Sequence, residues 1–346
     1  MTEKKLFGVT KDGREVHSYT ITNSQGASVE LITYGATVNC INVPDKNGVI
    51  ADVLSGFSDI SGHEEHSDYQ GMTVGRYANR IANGEFELDG VKYSVTKNEK
   101  EKTCLHGGAE LSTAVWNAII VDDNAVEMSY FSADGSHGFP GNVNFVVKFV
   151  FSEKNELKID YYAKTDKKTV INMTNHAYFN LAGASNGDIL NHVLRIDADY
   201  YTPTDADSIP TGELRSVEGT AFDFREPKAI GRDIGAQDEQ LIMCKGYDHN
   251  FCLNEGDGAA VTAYDPESGR ALDVYTDLLG VQLYTGNFLD GSNIGKDEKP
   301  LIKHAGFCLE TQFYPDTPNQ PEFPQCTVEA GKEFRSTTVF KFYIKK

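Results

Sequence analysis

Apolar residues recur at every second position along much of the chain. Val143, Phe145, Val147, Phe149 and Phe151 fall on one face of an extended segment. Leu157, Ile159 and Tyr161 repeat the pattern after Glu153-Lys154-Asn155. Successive side chains of a strand point to opposite faces, so this alternation predicts a long hairpin with one buried face. Phe86 and Leu88 precede Asp89-Gly90, and Val91, Tyr93 and Val95 follow. Asp-Gly accepts the positive φ angles of a two-residue turn, which predicts a second hairpin. Val261 to Tyr264 and Ala271 to Tyr275 flank Asp265-Pro266-Glu267-Ser268-Gly269 as a third. The C-terminus closes with Thr337, Val339, Lys341 and Tyr343 on one face and Thr338, Phe340, Phe342 and Ile344 on the other.

Helical periodicity is scarce. Residues 58–66 and 229–233 have room for a turn or two, and nothing resembles the alternation of strands and helices in a parallel sheet. No fixed-period repeat and no low-complexity linker divides the chain, and Gly, Pro, Asn and Asp punctuate the strands as turns. The pattern predicts an all-β protein, a single large antiparallel β-sandwich over residues 1–346, with two packed β domains as the alternative.

Composition narrows the function classes. The 346 residues carry 32 Lys and Arg against 51 Asp and Glu, a net charge of −19. Binding to nucleic acid or to an anionic membrane surface needs the opposite sign. No apolar run is long enough for a membrane span, and Met1 to Gly8 lacks the apolar core of a secretory signal. The six cysteines, Cys40, Cys104, Cys244, Cys252, Cys308 and Cys326, are sparse and form no Cys-x-x-Cys. They read as reduced thiols of a cytoplasmic protein. The sequon at Asn172-Met173-Thr174 has no meaning without secretion.

Candidate chemistry lies where polar residues interrupt the strand pattern, because a buried polar group is costly unless paired. In Thr169 to Leu181, Ile171, Met173, Ala177, Phe179 and Leu181 share one face. Asn172, Thr174, His176, Tyr178 and Asn180 share the other. The second face reads either as a solvated surface or as a site in which His176 moves a proton. Asn and Tyr, rather than Lys and Glu, cover it. Glu310 shares a face with Cys308 and Gln312, alternating with Phe307, Leu309 and Thr311, in an apolar stretch where desolvation would raise its pKa and make it a plausible base. An edge-strand Glu facing water fits the same spacing. Asp248 shares a face with Asn250 and reads alone as a turn initiator. Arg76 and Arg80 flank Asn79, and His106 precedes Gly107-Gly108; exposed charges and a simple hairpin turn are the plain readings of these. His63-Glu64-Glu65-His66 has the wrong spacing for a zinc helix, and Trp116 reads as packing.

Five segments in order change the weighing. They are Gly75-Arg76-Tyr77-Ala78-Asn79-Arg80-Ile81-Ala82, Leu105-His106-Gly107-Gly108, Thr174-Asn175-His176-Ala177-Tyr178-Phe179-Asn180-Leu181, Tyr247-Asp248-His249-Asn250 and Phe307-Cys308-Leu309-Glu310-Thr311-Gln312. Together they resemble the aldose 1-epimerase family, and the segments 32–37 and 318–324 extend the likeness over nearly the whole chain. The resemblance implies a large antiparallel β-sandwich with a sugar pocket on one sheet. It implies interconversion of the α and β anomers of a free aldohexose such as galactose or glucose, without metal or organic cofactor. It places Glu310 as general base, His176 as general acid and His106 as a positioning residue. Asn79, Arg80 and Asp248 become ligands of sugar hydroxyls, and Gln282 a further pocket residue. Asp248 is expected to help keep His176 protonated.

Three rivals fit parts of the same pattern. A glycoside hydrolase would use Asp248 and Glu310 as its two carboxylates. A sugar-binding module would keep the pocket without the chemistry. A hexose-phosphate enzyme would need extra Arg or Lys. The expected partner is a free monosaccharide, with no nucleic acid and no membrane, and either a monomer or a homodimer fits.

Overall fold

The computed structural model describes residues 1–66 and 68–345. Two large antiparallel sheets face each other. The first has nine strands, in the order Asn117–Asp122, Ala125–Ser132, Val143–Phe151, Glu156–Thr165, Glu333–Ile344, Arg270–Thr276, Val261–Tyr264, Val193–Ile196 and Lys228–Ala229. The second has seven, in the order Arg215–Ser216, Ala198–Thr202, Asp248–Leu253, Gly280–Tyr284, Phe307–Gln312, Tyr178–Phe179 and Leu54–Ser55. A five-stranded sheet formed by the N-terminal segment, Thr2–Val9 to Ile50–Asp52, packs alongside. The expected antiparallel β-sandwich is the architecture found.

The hairpins form as the alternation predicts. Phe149 pairs with Ile159 across the first, and all eight of its apolar alternates, from Val143 to Tyr161, are buried. Asp89 and Gly90 turn the second with φ of 52° and 78°. Val261–Tyr264 pairs with Arg270–Thr276 in the third. The two sheets meet through their alternating faces. Phe179 packs on Phe340 with ring centroids 5.1 Å apart, and Thr311 and Thr338 share a buried hydroxyl–hydroxyl bond of 2.6 Å. One apolar core runs from Tyr19 to Phe342 and draws on all three sheets. The helices are short: Ile60–Glu65, Glu110–Thr113 and Glu239–Cys244, with a 3₁₀ turn at Ile230–Arg232. Among the described residues no helix is long and apolar enough to cross a membrane.

Residues 169–181 depart from the expected single alternating strand. The segment breaks into Thr169–Val170, Thr174–Asn175 and Tyr178–Phe179, each paired with a different partner. All thirteen residues are buried, so its polar face is not a solvated one. Some of its amides are satisfied internally, Asn172 donating to the Phe313 carbonyl and Asn180 to the Ala305 carbonyl, while the Thr169 and Thr174 hydroxyls are buried without a partner among the described residues. Asn172 is therefore inaccessible as a sequon. Cys40, Cys104, Cys244, Cys252, Cys308 and Cys326 are all free thiols.

Candidate active site

Register aligns the polar residues across the seven-stranded sheet. Asn250 pairs with Gln282, which pairs with Glu310; one step along, Asp248 pairs with Tyr284, which pairs with Cys308, which pairs with Tyr178. Side chains two apart share a face, so Asp248, Gln282, Tyr284, Cys308, Glu310 and Tyr178 all point away from the core that Leu283, Leu309 and Phe179 enter. This face is roofed by the segments carrying Asp68, Tyr69, Asn79, Arg80, Glu99 and His106. Between roof and sheet lies a cavity of about 330 Å³, a size suited to a small ligand.

At its floor, Nε2 of His176 lies 3.5 Å from Oε1 of Glu310, with the two side chains only 7% and 3% exposed. Burial lowers the His176 pKa to about 4, since it disfavours the imidazolium. Burial also raises that of Glu310 well above the usual carboxylate range, and the nearby Asp248 charge adds to the rise. The other Glu310 oxygen, Oε2, is buried and accepts no hydrogen bond within the described residues. Sequence expectation had Asp248 supporting a charged His176. Its field acts on Glu310 instead, while its own charge is met by Arg80 Nη1 at 4.0 Å and by Gln282 Nε2 at 2.7 Å.

His106 is fixed by two bonds to one residue. Its backbone N–H donates to the Asn79 carbonyl at 3.0 Å, and its Nδ1 accepts the Asn79 backbone N–H at 3.1 Å. The ring proton is therefore on Nε2. Both residues hold the left-handed backbone, with φ of 64° at Asn79 and 50° at His106. Burial pushes the His106 pKa well below its ordinary value, so the ring is neutral. His106, His176 and Glu310 bring ligand atoms within 4.8 Å of one another, a donor set that suits a transition metal. His106 does not fit that role while neutral, because one ring nitrogen accepts from Asn79 and the other carries the proton. The cluster suits proton transfer better than a cation.

Most of the expected site residues converge here. Asn79, Arg80, His106, His176, Asp248 and Glu310 all line the cavity. Gln282 does not: it stands behind Asp248, donating to it and accepting from Gln312 Nε2 at 3.2 Å. The expected pocket ligand is a support for one. Arg76, four residues before Arg80, is fully buried elsewhere and donates to the Pro140 and Gly141 carbonyls and to Ser132 Oγ. His249 points to the other face of its strand and contacts Gln240 Oε1 at 3.2 Å. Tyr178, from the polar strand face that carries His176, lines the wall with residues that no pattern marked: Tyr69 and Tyr284 add aromatic surface beside the two histidines, and Phe288, 58% exposed, stands at the mouth. Glu99 grips Arg80 through two bonds of 2.8 Å. A wider depression of about 800 Å³ around Asp223 and Arg225 holds charges already ion-paired with each other.

Comparison with known proteins agrees with this geometry. The family model described as aldose 1-epimerase matches residues 17–341. The chain is 41% identical over 345 residues to galactose mutarotase of Rattus norvegicus, covering 99% of this chain and 98% of that protein. It is 38% identical over 337 residues to aldose 1-epimerase of Escherichia coli (strain K12), covering 96% of each. Among solved structures, the galactose 1-epimerase of Lactobacillus acidophilus NCFM superposes with a TM-score of 0.89 at 26% identity, covering 100% of this chain and 99% of that one. The GalM/aldose epimerase homologue of C. elegans gives 0.88 at 29%, covering 94% and 98%. Sequence and fold agree: the chain belongs to the aldose 1-epimerase family.

Proposed function

We propose that the protein interconverts the α and β anomers of a free aldohexose, galactose or glucose, by acid–base opening and reclosure of the ring. The observation that carries this reading is the Glu310 carboxylate, whose buried Oε2 has no partner among the described residues while its Oε1 lies 3.5 Å from the His176 imidazole. A sugar's anomeric hydroxyl would satisfy the one while its ring oxygen meets the other.

Burial lowers the His176 pKa to about 4 and raises that of Glu310 well above the usual carboxylate range, which favours a pair that holds one proton between its two members. Ring opening needs the same count, one base and one acid. The step runs from the minor form in which the proton has passed from Glu310 to His176, and Glu310 then removes the proton from O1. The C1–O5 bond breaks, its electrons go to O5, and His176 donates its proton there. Rotation about C1–C2 turns the other carbonyl face toward O5. Reclosure returns both protons, so the pair ends as it began and only the configuration at C1 has changed. His106 Nε2–H, Arg80, Asp248 and Asn79 supply donors and acceptors for the remaining hydroxyls.

The cavity lining favours a neutral sugar. Asp68, Glu99, Asp248 and Glu310 outnumber Arg80 and Lys100, and a phosphorylated sugar would meet this acidic surface. A single continuous core supports one domain over residues 1–346, and six free thiols fit a cytoplasmic setting. The test is polarimetry of freshly dissolved α-D-galactose. The protein should hasten the approach to anomeric equilibrium and leave the endpoint unmoved. Release of an aryl aglycone from an aryl galactoside would favour the hydrolase reading.

A further inference from the structure

Arg80 stands between two carboxylates and is held by only one of them. Its Nε and Nη2 donate to the two Glu99 oxygens, each at 2.8 Å, while Nη1 stops 4.0 Å from Asp248, beyond hydrogen-bond reach. Glu99 is itself fixed. Thr103 Oγ1 donates to its Oε2 at 2.7 Å, and the backbones of Glu99 and Thr103 pair with each other. The loop containing both is closed at its base by Asn98, whose side chain bonds the N–H and the carbonyl of Leu105 at 2.8 and 2.9 Å. Leu105 in turn is the cross-strand partner of Arg80. A salt bridge from Lys102 to Asp207 ties the loop to the opposite side of the cavity. The chain thus brings Glu99 back onto Arg80 through the strand that pairs with Arg80's own.

The consequence is an unfilled gap. A guanidinium donates in a fixed fork, and two opposed carboxylates compete for it. With the fork on Glu99, Nη1 keeps free donors and Asp248 keeps acceptor capacity beyond its bond from Gln282. A hydroxyl placed between them can accept from Nη1 and donate to Asp248. Without Glu99, nothing stops Arg80 from swinging onto Asp248, and the direct pair would then exclude that hydroxyl.

We infer that Glu99 is a positioning residue that sets substrate affinity: it holds the Arg80 fork so that Arg80 and Asp248 stay apart and bridge one sugar hydroxyl. This rests on the epimerase reading above. It goes further in giving a role to a loop residue that touches the chemistry only through Arg80.

The experiment is polarimetric kcat and KM for α-D-galactose in wild type, Glu99→Gln, Arg80→Met and the double variant. Glu99→Gln should raise KM about tenfold and move kcat by less than about threefold, because binding rather than the proton transfers is lost. In the Arg80→Met background the same change should move KM by less than about twofold, since the two residues act as one unit. The inference is overturned if Glu99→Gln leaves KM at the wild-type value, or if it raises KM equally in both backgrounds. Should Glu99→Gln fail to fold, Thr103→Val removes the donor that aims Glu99. It should raise KM in the same direction by a smaller factor, and an unmoved KM would overturn the inference. An inactive wild type would instead count against the epimerase reading itself.

Discussion

His176 and Glu310 stand side by side on a buried cavity floor, with Nε2 and Oε1 3.5 Å apart. Neither group would be tuned this way in water. Burial drives the imidazole toward its neutral form and the carboxyl toward its protonated form, so the ordinary order of the two pKa values is reversed. The proton is thereby biased toward Glu310, and its transfer to His176 is part of what a bound sugar must promote.

The pH dependence of kcat follows from the same values. As pH falls through about 4, His176 takes a second proton and the pair loses its base. As pH rises past the elevated Glu310 value, the pair loses its acid. We expect the acid limb of kcat near pH 4 and the alkaline limb well above the usual carboxylate range. Initial polarimetric rates against pH test this. An acid limb near the ordinary histidine value would show that His176 is not desolvated.

Asp248 raises the Glu310 pKa by its charge. Asp248→Asn removes that charge while leaving an amide of the same size. Glu310 then ionises more readily, so the alkaline limb of kcat should move to lower pH, and KM should rise because a hydroxyl acceptor is weakened. A limb that stays in place would mean that the two carboxylates do not interact.

The two arginines of one short segment should separate cleanly. Arg76→Met strips donors from the Pro140 and Gly141 carbonyls in a fully buried site. It should cost about 3 kcal/mol of stability, given the penalty for buried groups left unpaired. Its KM for galactose should stay near the wild-type value. Urea denaturation beside polarimetry checks both. A raised KM at unchanged stability would put Arg76 in the site.

Acid should destabilise the fold through histidines outside the site. Burial lowers His63 and His249 to about 3. In the unfolded chain they titrate near the ordinary value, so the unfolded state binds their protons first as pH falls. Their contribution is intact above roughly pH 6.5 and is lost as pH falls toward about 3. The urea midpoint should fall over that range, with a shallower slope in His249→Gln. An identical slope in the variant would contradict the burial of His249.

Much of this was legible in the sequence, and the reasons differ by residue. Phe149 and Ile159 announced their hairpin because one face of each strand is buried and the other is not, which leaves a period of two. Glu310 and His176 stood out because they interrupt apolar runs. The broken course of residues 169–181 was not legible: three short strands with three partners leave the same alternation as one long strand. Glu99 and Tyr69 escaped notice because they sit in loops, where no periodicity marks an inward side chain. Gln282 was expected in the pocket and stands instead behind Asp248, because pattern cannot tell a residue of the lining from the group behind it. Arg76 and Arg80 look alike by residue type and spacing; the family resemblance picked out Arg80 for the site, and the packing places Arg76 in the core.

The central claim is that Glu310 and His176 carry the proton transfers. The most direct measurement is the mutarotation rate of α-D-galactose with Glu310→Gln, whose thermal unfolding is compared with wild type in the same buffer. The amide keeps the shape and cannot take a proton, so kcat should fall by about 10²–10⁴-fold, the usual worth of a positioned acid–base group. A Glu310→Gln protein that unfolds at the wild-type temperature and keeps a kcat within a few-fold of wild type would contradict it.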